Sequence, residues 1–500
     1  MKKYFLSIYF GYHDSCITIS DQKKILLHLE AERIFRKKHL GITSTTKMEK
    51  LIKIGLNYLK LDIKNVSTLY VADWNNQYKK TNVKILGKSF NVILTSHHQN
   101  HIGTSYPAGF NDSIIVCADG GSEDGSTKIY LNKNSKIKLI DDLDNTPATG
   151  KFFGTLTQMI VADDFERAHH SYPGKTMGLA GTGEESLIFK ELIEKNWQEI
   201  NKLQFKGVDH LLNTFKISLK NPQFWQDKKR RDLAYTGQKY WVDYFFNKLK
   251  KYAKLSSNIS IVGGCALNVI LNSRIRESGL FNHVYVSPIS GDSGQSLGAI
   301  LFHNPNIKAS YPFLGRGFGE INEIPEEFLD DLFDNKIVAW YQGRSEIGAR
   351  ALGHRSFLGL PSTLKLKVQL NEVIKGRESF RPVAPMIAFD YVENFFYTNK
   401  SSEYMTFSVK AKEITKKLAP AIVHQDGTSR IQTVSENDNP IIFKALIETM
   451  KKTGAPILMN TSFNVDGEPI VDTPEDAKKT FKKSRADSLF INGKRYIKNY

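Results

Sequence analysis

Twice within residues 258–300 a short β-rich run breaks off in a glycine-containing turn that opens a helix. Asn258 to Val262 runs into Gly263-Gly264 and the helical pattern of Ala266 to Ile275. His283 to Val286 runs into Ser287-Pro288-Ile289-Ser290-Gly291-Asp292-Ser293-Gly294. Such turns bring backbone N–H groups to the end of a sheet, where a nucleotide or another anion can meet them. The first third fits the same α/β class. Tyr4–Phe10, Ser15–Ser20 and Lys24–Glu30 are spaced as an antiparallel meander, and Met48, Leu51, Ile52, Leu56 and Leu59 then recur at helical spacing. Residues 185–255 read as mainly helical. A new α/β unit starts at Ile337–Gln342, with helix starts at Asn439-Pro440 and Thr473-Pro474. The Pro-, Gly- and Asn-rich stretch near 304–324 reads as a linker, and no internal repeat is visible.

At 500 residues the chain exceeds one ordinary core, so two or three domains are expected. With 41% hydrophobic and 24% charged residues, it is neither a disordered tail nor a collagen-like repeat. No apolar stretch reaches transmembrane length, and Tyr4–Phe10 lacks a cleavage site, which makes it a strand and not a signal peptide. Three scattered cysteines with no CxxC spacing exclude a zinc knuckle and suit a reducing cytoplasm. The net charge of +17 fits nucleic acid or phosphorylated substrates equally.

The chemistry-bearing residues fall into groups. His97 and His101 are four apart, so on a helix both imidazoles share one face and can share a metal. Asp119 and Asp292 each follow an expected strand in a Gly-rich turn. Two His with two Asp suit Fe²⁺, Mn²⁺ or Zn²⁺ over Ca²⁺. His13-Asp14 sits in the turn after the first strand, where a His can act as a general base with a carboxylate orienting it. Arg36-Lys37-Lys38-His39 is a basic loop. Farther on, Gly343 to Arg355 interleaves Arg344, Arg350 and Arg355 with Gly and Ser, and Lys375 to Pro382 adds three cations including Arg381. Arg430, Ser462 and Asn464 add donors at strand ends, the equipment for holding phosphates and carboxylates.

Together these segments resemble the O-carbamoyltransferases that decorate nodulation factors, antibiotics and nucleosides. The match runs from residue 4 to about 495 through His13-Asp14-Ser15, Ala31-Glu32-Arg33, His97…His101, Asp119-Gly120, Gly174 to Ala180, Gly263 to Asn268, Gly291 to Gly294, Gly343 to Ser356, Phe380 to Pro385, His424 to Arg430 and Asn460 to Pro469. The resemblance implies a two-lobed domain of the actin/sugar-kinase/heat-shock ATPase fold over 1–310, a linker over 311–335 and a YrdC-like α/β domain over 336–500. It implies that Arg350, Lys375, Arg430 and Ser462, with Arg344, Arg381 and Asn464 beside them, hold carbamoyl phosphate and Mg²⁺–ATP and form carbamoyl-adenylate. In the N-terminal domain, His97, His101, Asp119 and Asp292 would hold a divalent metal, Fe²⁺ foremost. His13 would be the catalytic base, with Lys38 and His39 near it, and Lys175, Gly263, Gly264 and Asn268 would bind the adenylate. A small hydroxyl-bearing acceptor is implied; neither a membrane nor nucleic acid is, and a homodimer is compatible. Gly181-Thr182-Gly183, Ala349 and Cys265 depart from the family pattern without removing a charged or ligating group. Two alternatives remain on sequence grounds: tRNA threonylcarbamoylation, and a non-catalytic basic nucleic-acid-binding protein.

Overall fold

The computed structural model describes residues 3–73, 82–161, 173–203, 207–218 and 223–498. The chain forms two compact units: residues 1–95 together with 293–500, and residues 96–292.

The first unit opens with the expected meander, β1 (Tyr4–Phe10), β2 (Cys16–Asp21) and β3 (Ile25–Glu30). The short helix α1 (Ala31–Phe35) and the longer α2 (Thr45–Tyr58) follow, then β4 (Val66–Asp73), β5 (Asn82–Ile85) and β6 (Lys88–Leu94). The strand order is β3-β2-β1-β4-β6-β5, with β4 parallel to β1 and β6 parallel to β4. The two faces of this sheet differ in chemistry. Leu6, Ile8, Phe10, Ile17, Ile19, Leu27 and Leu29 pack with Met48, Leu51, Ile52 and Leu56 of α2, the stripe expected from helical spacing. Each such side chain contributes roughly 1.5–3 kcal/mol on burial. The other face carries Ser7, Tyr9, Cys16, Thr18, Ser20 and His28, all buried. The helix Gln295–His303 packs on β1, β2 and β4. Its Ser296 Oγ lies 2.8 Å from Thr18 Oγ1 and donates to Cys16 Sγ at 3.1 Å.

The rest of the first unit is built on a seven-stranded mixed sheet. It comprises β12 (Val338–Tyr341), β13 (Arg355–Gly359), β14 (Ala384–Ala388), β17 (Gln432–Val434), β18 (Ile457–Ser462), β19 (Ser488–Ile491) and β20 (Lys494–Ile497), in the order β17-β14-β18-β13-β12-β19-β20. A separate ribbon pairs β15 (Val409–Lys410) with β16 (Thr428–Ser429). Alternation along β12 sends Val338 and Trp340 to one core, with Phe328, Leu332 and Leu446, and Ala339 and Tyr341 to the other, with Phe357, Ile374 and Phe481.

The second unit holds β7 (Asp112–Ser122), β8 (Gly125–Lys133), β9 (Lys136–Asp142), β10 (Asn258–Val262) and β11 (His283–Val286). Helices Gly150–Val161, Leu187–Lys202 and Lys228–Leu249 fill the interval between β9 and β10. The order β9-β8-β7-β10-β11 has an antiparallel meander on one side of β7 and two parallel strands on the other. This is the pattern of β3-β2-β1-β4-β6 over again. The structure is therefore duplicated although the sequence shows no repeat, because a sheet pattern constrains burial and turns and leaves residue identity open. The duplicated five-strand sheet is the actin and sugar-kinase architecture.

Compactness groups residues 1–95 and the helix Gln295–His303 with the C-terminal sheet. One boundary needs correction: 311–335 is not all linker. Its last third is the helix Glu326–Phe333, whose Phe328 and Leu332 are fully buried against Trp340 and Phe490. None of the three cysteines is in a disulfide, and no helix among the described residues is long and apolar enough to cross a membrane.

Candidate functional site

In the second unit, His97 and His101 lie on the helix α3 (His97–Gly103). Ser96 and Gln99 close its first turn reciprocally. Glu123 accepts the His97 N–H at 3.1 Å and Asp124 the His98 N–H at 2.7 Å, fixing the helix start against the β7–β8 hairpin. Asp119 stands in a bulge, where the β7–β8 pairing breaks after Ala118 and resumes at Ser122. Its Oδ2 accepts the Gly264 N–H at 2.8 Å. Gly263 is needed there: at φ 88° a Cβ would come within 2.1 Å of Ala118 O. Asp292 follows β11.

The four side chains converge. His101 Nε2 lies 3.0 Å from Asp119 Oδ2 and 3.4 Å from Asp292 Oδ1, His97 Nε2 is 3.4 Å from Asp292 Oδ1, and the two Nε2 atoms are 3.0 Å apart. Four donors placed about 2.1 Å from one ion would be about 3.0–3.4 Å apart. The His97 Nε2–Asp119 Oδ2 distance, at 4.0 Å, is wider. Burial opposes charge on His97, but Asp292 and Asp119 override it and push the imidazole up to about 10. Two facing imidazoles held against one buried and one half-buried carboxylate make a site that demands positive charge, so the residues present fit a divalent ion.

In the first unit, the turn between β1 and β2 brings His13 and Asp14 to His39. His13 Nδ1 is 2.9 Å from Asp14 Oδ2, and His39 Nδ1 is 3.0 Å from Asp14 Oδ1. Glu32 Oε2 accepts the His39 N–H at 2.8 Å. The expected His13, Lys38 and His39 thus share one neighbourhood, and Lys38 also feels the charges of Arg377 and Arg381.

Those charges belong to a cluster of cations in the same unit. The helix leading into it widens over Gln369–Ile374 into a π-type turn that ends at Lys375. Lys375 is buried, and its Nζ donates to Ser462 O at 2.6 Å, to Asn464 Oδ1 at 2.8 Å and to Asn464 O. Ser462 Oγ donates to Asn464 Oδ1 at 2.6 Å. Gly376, at φ 58°, then turns the chain so that Arg377 reaches Thr461 Oγ1 at 3.1 Å. Burial and the mutual repulsion of Arg350, Arg377 and Arg381 hold Arg377 at about 9 and Arg350 at about 10, and the same causes keep Lys375 and Arg430 well below their usual values. Glu378 and Asp466 offset this only in part. Arg430 Nε is buried with no hydrogen-bond partner among the described residues. A half-buried cluster with this excess of cations is complete only with an anion in it.

Sequence reasoning overlooked two residues here. Arg377 lay inside the basic run but was indistinguishable from its neighbours without the sheet. Glu346 gave no signal beyond being one acid among arginines. It is fully buried, and its Oε1 accepts the N–H groups of Leu352 (2.6 Å), Arg355 (3.3 Å) and His354 (3.4 Å), shaping the loop that carries Arg350.

Two further expected residues have described protein partners. Arg344 was expected in the anion pocket, yet it donates to Leu26 O and Leu314 O at 2.7 Å and to Gly315 O at 2.9 Å, so it clamps backbone. Asn268 was expected to bind adenylate. Its amide oxygen caps the helix Val269–Glu277 by accepting the Leu271 N–H (3.2 Å), and the amide pairs with that of Gln238 (3.1 and 3.2 Å). Lys175 is half-buried on the helix Pro173–Ala180.

The family model for the carbamoyltransferase N-terminus matches residues 74–301 and that for the carbamoyltransferase C-terminus matches 329–498; the chain belongs to the carbamoyltransferase family. It is 29% identical to nodulation protein NolNO of Sinorhizobium fredii, over 80% of this chain and 63% of that protein. It is 29% identical to nodulation protein NolO of Bradyrhizobium diazoefficiens, over 79% and 77%. An uncharacterized protein of Methanocaldococcus jannaschii, MJ1051, is 28% identical over 96% of this chain and 97% of its own length. The chain thus spans less than two thirds of NolNO.

Proposed function

We propose that the protein is an ATP-dependent O-carbamoyltransferase acting on a hydroxyl of a small acceptor. The observation that carries this is the convergence of Lys375, Ser462 and Asn464 with Arg350, Arg377, Arg381 and Arg430 in one pocket. Carbamate is a poor electrophile, and linking it to AMP supplies a good leaving group. In this reading the pocket holds carbamoyl phosphate and the ATP phosphates. Carbamoyl phosphate and water give carbamate and phosphate; carbamate then attacks the α-phosphorus of ATP and pyrophosphate leaves. The arginine forks hold the phosphate oxygens in pairs, and Lys375 supplies a point charge where they crowd. The neutralised anions in turn relieve the repulsion among the cations.

In the transfer step the acceptor hydroxyl attacks the carbamoyl carbon, His13 takes its proton, and AMP departs. His97, His101, Asp119 and Asp292 would hold a divalent metal, which when bound supplies Lewis-acid stabilisation of developing negative charge.

The test is acceptor-free exchange of labelled pyrophosphate into ATP at varied carbamoyl phosphate. Exchange should require carbamoyl phosphate, and Lys375→Ala should lower it roughly 30- to 150-fold at limiting carbamoyl phosphate, the equivalent of about 2–3 kcal/mol. Exchange independent of carbamoyl phosphate would remove this reading.

A further inference from the structure

The His13–Asp14–His39 arrangement is more specific than a base beside a basic loop. Its backbone is tightly determined. Ser15 Oγ accepts the N–H groups of Gly11 (3.2 Å) and Ile42 (2.8 Å), and Ser15 N donates to Leu40 O at 3.0 Å. Gly41 lies so close to the turn that a Cβ there would come within 2.1 Å of Tyr12 O. The segment bearing His39 is thereby pinned to the turn bearing His13. Asp14 and His39 both take left-handed backbone, φ 52° each, a conformation that Asp and His adopt more readily than most residues. Asp14 then presents each carboxylate oxygen to a different imidazole Nδ1, at 2.9 and 3.0 Å. Burial alone would raise its carboxyl, but the two imidazoles more than reverse that, so the carboxylate is ionised.

An ionised carboxylate can only accept. Each neutral imidazole bonded to it must carry its proton on Nδ1, which puts the ring lone pair on Nε2. We propose that Asp14 is a positioning residue for carbamoyl transfer: it fixes His13 in the Nδ1–H tautomer and is itself held square to that ring by His39 on its second oxygen. This rests on reading His13 as the base. His39 then serves by anchoring Asp14 and need not touch the reacting atoms. The proton balance is simple. The hydroxyl proton goes to His13 Nε2, the imidazolium keeps its Nδ1–H on Asp14, and the proton leaves to water after AMP has gone.

An amide can serve only one of the two rings in this way. Asp14→Asn keeps the left-handed turn, but its NH₂ end must donate to one of the two Nδ1 atoms, which forces that ring into the Nε2–H form. Asp14→Gly also keeps the turn and leaves room for formate. The experiment uses the full chain with ATP and carbamoyl phosphate, with methanol as the hydroxyl probe and methyl carbamate measured by mass. Pyrophosphate exchange should stay within about twofold of wild type in both variants, while transfer to methanol falls roughly a thousandfold or more in Asp14→Gly. Formate should restore transfer in Asp14→Gly at least tenfold, and formamide should not. A residue that only supported the fold would not separate these two additives. On the unmodified protein, ¹⁵N spectra should show His13 and His39 as Nδ1–H tautomers, which keeps the test decisive even if a variant misfolds. Transfer within about threefold of wild type in Asp14→Gly without additive, rescue by formamide equal to that by formate, or an Nε2–H tautomer at His13 would each overturn the inference. His13→Asn separates the two ideas. If it transfers normally, the base reading falls. If it is dead while Asp14→Gly is active without additive, only the role of Asp14 falls.

Discussion

Arg377→Met should weaken the enzyme and strengthen the empty protein at once. The Arg377 guanidinium makes one described side-chain bond, to Thr461 Oγ1, and its main electrostatic company is Arg381 and Arg350. Two unit charges about 10 Å apart repel by about 1.7 kcal/mol at an effective dielectric of ~20, and salt takes away a good part of that. Met replaces the side chain at similar length, so removing the charge should stabilise the ligand-free fold by about 1 kcal/mol. In a unit formed by residues 1–95 and 293–500, with an unfolding entropy of about 2.1 cal/mol/K per residue, this raises Tm by roughly 1.5–2 °C. With substrate present the sign reverses. The lost charge-assisted bond to a phosphate oxygen is about 1.5–3 kcal/mol, or roughly 10- to 150-fold in KM for carbamoyl phosphate in pyrophosphate exchange. Thermal melts of both proteins, with and without carbamoyl phosphate, decide it. The wild type should gain more from the ligand than the variant, by the ratio of their dissociation constants. A ligand-free variant that melts below wild type, with an unchanged KM, would show that Arg377 is a structural residue and that the pocket is not under cationic strain.

Three further outcomes are expected. Arg344→Ala should leave the KM for carbamoyl phosphate unchanged and lower stability by about 2–4 kcal/mol in denaturant melts, because three carbonyls lose a charged donor; a large KM change would return Arg344 to the pocket. Phe328→Ala should cost about 3–5 kcal/mol, since the ring is fully buried against Trp340 and Phe490; a near-neutral melt would mean that the helix Glu326–Phe333 is peripheral. The purified protein should carry about one divalent transition metal per chain, and His97→Ala/His101→Ala should lose it; equal metal content by elemental analysis would refute the tetrad.

Where chemistry and local geometry coincide, the sequence was readable. The His97/His101 spacing, the Gly263-Gly264 turn and the strands at 258–262 and 283–286 follow from periodicity and from a turn only glycine allows. What the sequence did not show needed partners distant in the chain. Arg344 and Arg350 sit in one loop with the same composition, and only the carbonyls of Leu26, Leu314 and Gly315 distinguish the clamp from the anion-pocket residue. Asn268 looked like a ligand-turn residue because a helix cap and a nucleotide turn use the same amide. The helix Glu326–Phe333 was lost to the Pro/Gly-rich composition before it, although Phe328, Leu329 and Leu332 already lie on one helical face.

The unequal faces of the first sheet have a consequence for synthesis. The chain leaves the first unit after Thr95 and returns at Ser293, so the helix Gln295–His303 that covers β1, β2 and β4 emerges about 200 residues after β6. At ordinary elongation rates the uncovered face waits roughly 10–40 s on the ribosome. The apolar face does not share that delay, because α2 is made directly after β3 and can cover it. The face left waiting is the one lined by Ser7, Thr18, Ser20 and His28, side chains that water can solvate in the meantime. The finished protein retains a trace of this order: the hydroxyls of Ser7 and Ser20 are buried with no described hydrogen-bond partner. A core composed only for final stability would place valine or isoleucine there; a nascent chain that must stay soluble while an entire second unit is made has reason to keep serine.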